Sequence, residues 1–89
     1  MLTYCSGPMS GRAEADSRKL FADAERQLKK NGHKVVNPWT LDKKYPKLHR
    51  WADYLKRDIP ILLKCDAIRL LDGWEDSEGA KLEAHIADR

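Results

Sequence analysis

Cysteine is scarce in this chain: Cys5 and Cys65 are the two present, far apart and in no CxxC pair. That excludes a disulfide scaffold and a thiolate metal cluster, which need more or closer thiols. The three histidines, His33, His49 and His85, are scattered and add no ligand spacing. Neither a metal nor a cofactor is therefore expected. Free, mostly buried thiols in a reducing cytoplasm are the expectation. No apolar run approaches the ~20 residues that span a bilayer. The N-terminal stretch MLTYCSGPMSGR lacks the basic and apolar regions of a signal peptide, so no membrane association is expected. Internal repeats and low-complexity tracts are also missing.

What remains is a short, charged, soluble-looking domain of 89 residues, 42% hydrophobic and 35% charged, with net charge +3. A chain of this length buries roughly 60–65% of its unfolded surface, so its core is small and oligomerisation would help it. The charge is compatible with an anionic small molecule and demands no nucleic acid. Leu2 to Cys5 is a β-prone run stopped by Ser6-Gly7-Pro8. From Ala13 to Lys30 the period becomes helical, with Leu20, Phe21, Ala24 and Leu28 on one face and Arg18 among the charged residues of the other. Asn31-Gly32 ends that helix, and His33 to Asn37 reads as a second strand closed by Pro38. Trp39 to Arg50 reads as a lysine-rich loop. Trp51, Leu55, Ile59 and Leu62 restore helical spacing, and Pro60 predicts a restart with Asp58 near the N-cap. Ala67 to Leu71 is a third strand, and a last helix starts at Ser77 or Glu78. The order β-α-β-α-β-α predicts an α/β fold, a minimal Rossmann-like or flavodoxin-like three-layer domain with a short parallel sheet, as one domain over residues 1–89. In such sheets ligands sit beyond the carboxyl ends of the strands, where Ser6–Arg12, Pro38–Arg50 and Asp72–Gly79 converge.

Several side chains there carry chemistry. In the first loop, Ser6, Gly7, Met9, Ser10 and Gly11 form either a plain turn or a phosphate cradle built from backbone N–H groups. It is neither a Walker A sequence nor GxGxxG. On the last helix Gly79, Leu82, Glu83 and Ile86 share a stripe, so Glu83 faces inward with no cation at i−4 or i+4. Asp58 lies on the apolar side of its own helix, as a cap or as a second functional carboxylate. Two inward carboxylates near strand ends suit glycosyl chemistry. Ser77 caps the last helix and is placed to bind phosphate as well. Trp74 is a candidate lid or base-stacking residue. The stretch Lys43–Arg50 has aromatic interleaving, but Asp42 and Asp53 interrupt it, so nucleic acid is not the expected partner.

Four segments, Tyr4 to Gly11, Gly32 to Pro38, Asp58 with Cys65-Asp66-Ala67, and Ser77 to Glu83, occur in an order that resembles the nucleoside 2-deoxyribosyltransferase-like superfamily. The chain resembles its short phage and bacterial members of unknown function and is similar to the 2′-deoxynucleoside 5′-phosphate N-hydrolases. The resemblance implies that Glu83 forms a glycosyl-enzyme ester, Asp58 contacts the sugar and Tyr4 positions substrate. It implies that Ser77 and Gly79 receive the 5′-phosphate, that Gly7 lies in the first nucleotide-binding loop, and that Asp66 is structural. The expected ligand is a nucleoside monophosphate, cleaved by a hydrolase of nucleotide metabolism. Base exchange and a catalytically silent nucleotide-binding module are the alternatives. Family members usually continue past the glutamate helix, whereas this sequence stops at Arg89, which leads to an expected homodimer.

Overall fold

The central strand, β1 (Leu2–Ser6), is paired along both edges because it runs between the other two, and helices on each side of the sheet bury its faces. It pairs in parallel with β2 (Lys34–Val36), Tyr4 opposite Val36, and with β3 (Ala67–Leu70), Tyr4 opposite Ile68. The sheet order is β2-β1-β3, the arrangement in which the chain changes direction beside β1. The coordinates are those of a computed structural model and describe residues 1–9, 13–44 and 51–88. Side chains alternate along β1. Cys5 packs with Phe21, Ala24 and Leu71, whereas Tyr4 and Ser6 point to the helix that carries Glu83. The sheet is thus covered on both sides, and the α/β fold is the one its sequence predicts.

Helix α1 (Glu14–Lys30) stops where the residues demand it. Gly32 takes φ 86°, and the N–H groups of His33 and Gly32 donate to the carbonyls of Leu28 and Lys29 at 3.1 and 3.0 Å, a Schellman ending. Asp66 fastens the start of the sheet, accepting from Leu2 N at 2.9 Å.

Two expectations fail. The segment from Trp39 begins as a helix, α2 (Pro38–Lys44), rather than a loop. Asn37 is its cap, its Oδ1 accepting from Trp39 N at 3.0 Å, and Pro38 supplies a first-turn residue needing no N–H partner. The Asn-Pro pair that reads as the end of a strand is equally a helix start. Residues 45–50 of the lysine-rich stretch lie outside the described residues. The second correction concerns Pro60. Helix α3 runs unbroken from Trp51 to Leu63 with Pro60 inside it, so Asp58 is a mid-helix residue and not a cap. Packing of the apolar face, Leu62 above all, outweighs the hydrogen bond Pro60 cannot make. Since Pro60 is exposed, Pro60→Ala is expected to raise stability by about 1–3 kcal/mol, read as a higher urea midpoint at unchanged slope. A lower midpoint would show that the proline relieves strain.

The segment after β3 adds a 3₁₀ turn (Trp74–Asp76) that the sequence pattern does not reveal. Helix α4 (Glu78–Ala87) follows, and Ser77 caps it by accepting from Ala80 N at 3.2 Å. Cys5 and Cys65 are both free, and burial pushes the Cys5 thiol up to about 11. No helix among the described residues is long and apolar enough to cross a membrane.

Candidate functional site

A cleft of about 1160 Å³ opens at the carboxyl ends of the strands. Its floor is β1, with Tyr4, Ser6 and Gly7; its walls come from the first turns of α1, the start of α2, the middle of α3 and the start of α4. This is the direction-change point of the sheet, where crossovers leave to opposite sides and a gap opens between their loops.

Glu83 sits at the centre. The cap at Ser77 sets the phase of α4 so that Ala80 and Glu83, three residues apart, both face the sheet. Only 7% of Glu83 is exposed. Its two carboxylate oxygens are each bound by a hydroxyl from β1: Tyr4 OH donates to Oε2 at 2.6 Å and Ser6 Oγ to Oε1 at 2.7 Å. Tyr4 and Ser6 can do this together because residues two apart on a strand share a face. Burial raises the Glu83 carboxyl above its usual range, and the neighbouring charge of Asp58 pushes the same way. The two hydroxyl donors and the Arg57 guanidinium pull it back. Burial above all, then the charges of Glu83 and Asp58, drives Tyr4 far upward, so the phenol stays a proton donor.

Asp58, 6% exposed, faces the same cleft from α3. Arg57 Nε donates to its Oδ1 at 2.6 Å, and both side chains are largely buried. A pair of this kind keeps a carboxylate fixed and oriented beside the floor. Ser77 and Gly79 line the cleft at the start of α4, and Met9 lines it from the first loop. Ser10 and Gly11 lie outside the described residues.

Two placements, those of Ser6 and Trp74, differ from the sequence expectation, while Gly7 lines the cleft as expected. Ser6, assigned there to substrate, directs its hydroxyl to Glu83. Gly7 has a packing reason of its own: a Cβ there would meet Leu71 Cβ at 2.9 Å, so the strand end and the β3 exit approach too closely for any side chain. Trp74 belongs to the 3₁₀ turn and is not among the residues lining the cleft. The tryptophan that does line it is Trp39, at the start of α2.

Trp39 and its supports escape sequence reading. Ser17, fully buried on α1, donates to the Pro8 carbonyl at 2.7 Å and accepts from Trp39 Nε1 at 3.1 Å. Arg18, placed by periodicity on the solvent face, instead lays its guanidinium over the Trp39 ring, 4.3 Å from the centroid, and lines the cleft. Glu14 pairs with its Nε at 3.2 Å. Tyr54 lines the α3 wall, with Arg57 stacked over it. The Asn-Pro helix start at residue 37 is the one sequence signal that brings Trp39 into the site. No group of three or more His, Cys, Asp or Glu side chains able to hold a metal occurs among the described residues.

The chain belongs to the family described as Domain of unknown function (DUF4406), which matches it over residues 1–89. A 57-residue stretch is 39% identical to the 2-C-methyl-D-erythritol 2,4-cyclodiphosphate synthase of Actinobacillus pleuropneumoniae serotype 5b (strain L20), covering 63% of this chain and 36% of that protein. The same enzyme from serotype 7 (strain AP76) is similar at 37% identity over 57 residues, again 63% of this chain and 36% of that protein. The match therefore spans about a third of the length of these curated relatives. No solved structure matches the chain.

Proposed function

We propose that this member of the DUF4406 family binds a (deoxy)nucleoside 5′-monophosphate in the cleft and hydrolyses its N-glycosidic bond through Glu83. The observation that carries the reading is the Glu83 carboxylate itself. It is buried at the centre of a nucleotide-sized cleft, each oxygen is held by a β1 hydroxyl, and Asp58 stands in the adjoining wall. Immobilising a carboxylate in this way suits attack on a cationic centre, because the anion is already oriented and little solvent must be moved.

In this reading a Glu83 oxygen forms a bond to C1′ as the C1′–N bond breaks, and the electron pair leaves with the base. Asp58 orients the sugar or passes a proton to the departing base. Water then cleaves the ester, releasing sugar 5-phosphate and restoring the carboxylate, with net retention at C1′. Ser77 and the first amides of α4, Gly79 among them, offer donors to the phosphate. Gly79 stands about one turn and Ser77 about one and two-thirds turns before Glu83, ~6 and ~9 Å along the axis, within the span of one nucleotide.

Incubation with each canonical mononucleotide, followed by chromatography for free base, tests the reading. Base release in the wild type but not in Glu83→Ala is expected. Base formation only when a second base is supplied would indicate exchange, and binding without turnover would indicate a silent nucleotide-binding module. Ser6→Ala removes one donor from the carboxylate. It is expected to lower kcat on the order of ten- to a hundredfold with KM little changed. The acid limb of its pH–rate profile should move to higher pH, because a hydrogen bond favouring the ionised form is lost. An unmoved profile would mean that Ser6 does not act through Glu83.

The reading includes a homodimer. Leu63 is 68% exposed beside a hollow lined by Leu62, Ile68 and Ile86 together with Cys65 and Asp66, a mixed surface that a second copy would cover. Light scattering should give twice the monomer mass at micromolar concentration, and a stable monomer would remove the dimer from the proposal.

A further inference from the structure

The described lining of the cleft is mostly acidic where it is charged. Among the described residues lining it, Glu14, Asp58, Asp76, Glu78 and Glu83 are acids, and Arg18 is the single cation. A ligand entering the cleft therefore meets one cationic side chain and several carboxylates among the described residues. Arg18 is also held in place on two sides. Its guanidinium lies over the Trp39 ring at 4.3 Å, and its Nε pairs with Glu14 at 3.2 Å. The ring beneath it is anchored in turn, since Trp39 Nε1 donates to Ser17 Oγ and that hydroxyl donates to the Pro8 carbonyl. The indole N–H is thereby engaged within the protein, and Trp39 and Arg18 both line the cleft.

The nucleotide reading divides the cleft into stations. The start of α4 takes the phosphate, and Glu83 with Asp58 takes the sugar. Of the lining that remains, Tyr54 and Leu55 belong to the α3 side and Met9, Trp39 and Arg18 to the α1–α2 side, and the α1–α2 side, which carries the cation, is assigned to the base. A guanidinium has donors and no acceptor, in a rigid planar fork. It therefore discriminates among bases by where they carry paired acceptors. Guanine presents O6 and N7 side by side, adenine replaces O6 with an amino donor, cytosine presents an amino donor, and thymine offers O4 next to a methyl group.

We propose that Arg18 is the specificity-determining residue of this cleft and selects a 6-oxopurine nucleotide by forked donation to O6 and N7. This rests on the nucleotide reading above and adds the base to it. Trp39 keeps the fork flat and fixed, which lowers the conformational cost of engaging both acceptors. Glu14 holds the Nε end and acts as a positioning residue.

Calorimetric titration of the wild type and of the turnover-deficient Glu83→Gln protein with deoxyguanosine, deoxyinosine, deoxyadenosine, deoxycytidine and thymidine monophosphates tests the proposal without requiring catalysis. The two 6-oxopurine nucleotides should bind about tenfold or more tighter than the others. Arg18→Met, which keeps a stem over Trp39, should weaken deoxyguanosine monophosphate about ten- to a hundredfold and leave deoxyadenosine monophosphate within about threefold. Arg18→Lys keeps the charge but not the fork and should not restore the preference. Equal affinity for all five nucleotides would overturn the proposal. So would a uniform loss in Arg18→Met that extends to inorganic phosphate, which would place Arg18 on the phosphate. A 6-oxopurine preference without base release would leave this assignment standing and remove the glycosidase reading. Failure of every nucleotide to bind would remove both.

Discussion

Glu83→Gln is expected to abolish turnover, by on the order of a thousandfold or more, while the protein stays folded and still binds nucleotide. The substitution is nearly isosteric, so the acceptor for Tyr4 OH survives as an amide oxygen, and the Ser6 hydroxyl can accept from the new NH₂ group. What disappears is the negative charge that attacks and stabilises C1′. Intact-protein mass spectrometry after rapid quench should show a sugar-phosphate adduct in the wild type and none in Glu83→Ala. Asp58→Asn should lose less, since it does not carry the covalent bond. Wild-type rates in the Glu83 variants would sink the mechanism.

The same residue shapes the pH dependence of stability. A carboxyl raised in the folded state binds its proton more tightly there than in the unfolded chain. Its contribution is then greatest below the unfolded value, about 4.3 for glutamate, and is lost as pH rises through the raised folded value. Ionisation of Glu83 thus costs stability in the range where catalysis needs it ionised. Glu83→Gln should flatten stability against pH over that window. Turnover in the wild type should fall as pH drops through the raised value.

Phe21→Ala should have the largest effect on folding. Phe21 is fully buried and packs with Cys5, Ala24 and Leu71, and it also lines the cleft. Removing such a ring costs about 3–5 kcal/mol. At 0.05–0.15 kcal/mol per residue, a chain of 89 residues has roughly 4–13 kcal/mol in all. The variant should lose a large part of its cooperative thermal transition and bind no nucleotide. A thermal midpoint within a few degrees of wild type would mean the core collapses around the cavity, contrary to its small size. Phe21→Leu, which keeps most of the volume, should fall between the two.

The local sequence determined a good deal. The β-prone run Leu2 to Cys5, the period of three to four in α1, and the Asn-Gly and Asp-Gly stops were enough to place the three strands, α1 and α4, because each depends on neighbours in the chain. Glu83 was visible for the same reason: its place on an apolar stripe follows from helical spacing alone. The tertiary structure decided the rest. Only sheet pairing and the docking of α4 bring the Tyr4 and Ser6 hydroxyls onto Glu83 across 79 and 77 positions of sequence. Only the docking of α2 against α1 draws Arg18 off the solvent face and over Trp39. Pro60 stays inside α3 because side-chain burial outweighs a missing backbone hydrogen bond, a balance that no local propensity contains. Local spacing selects which way a residue faces along its own element, whereas the partners it meets depend on contacts between elements distant in the chain.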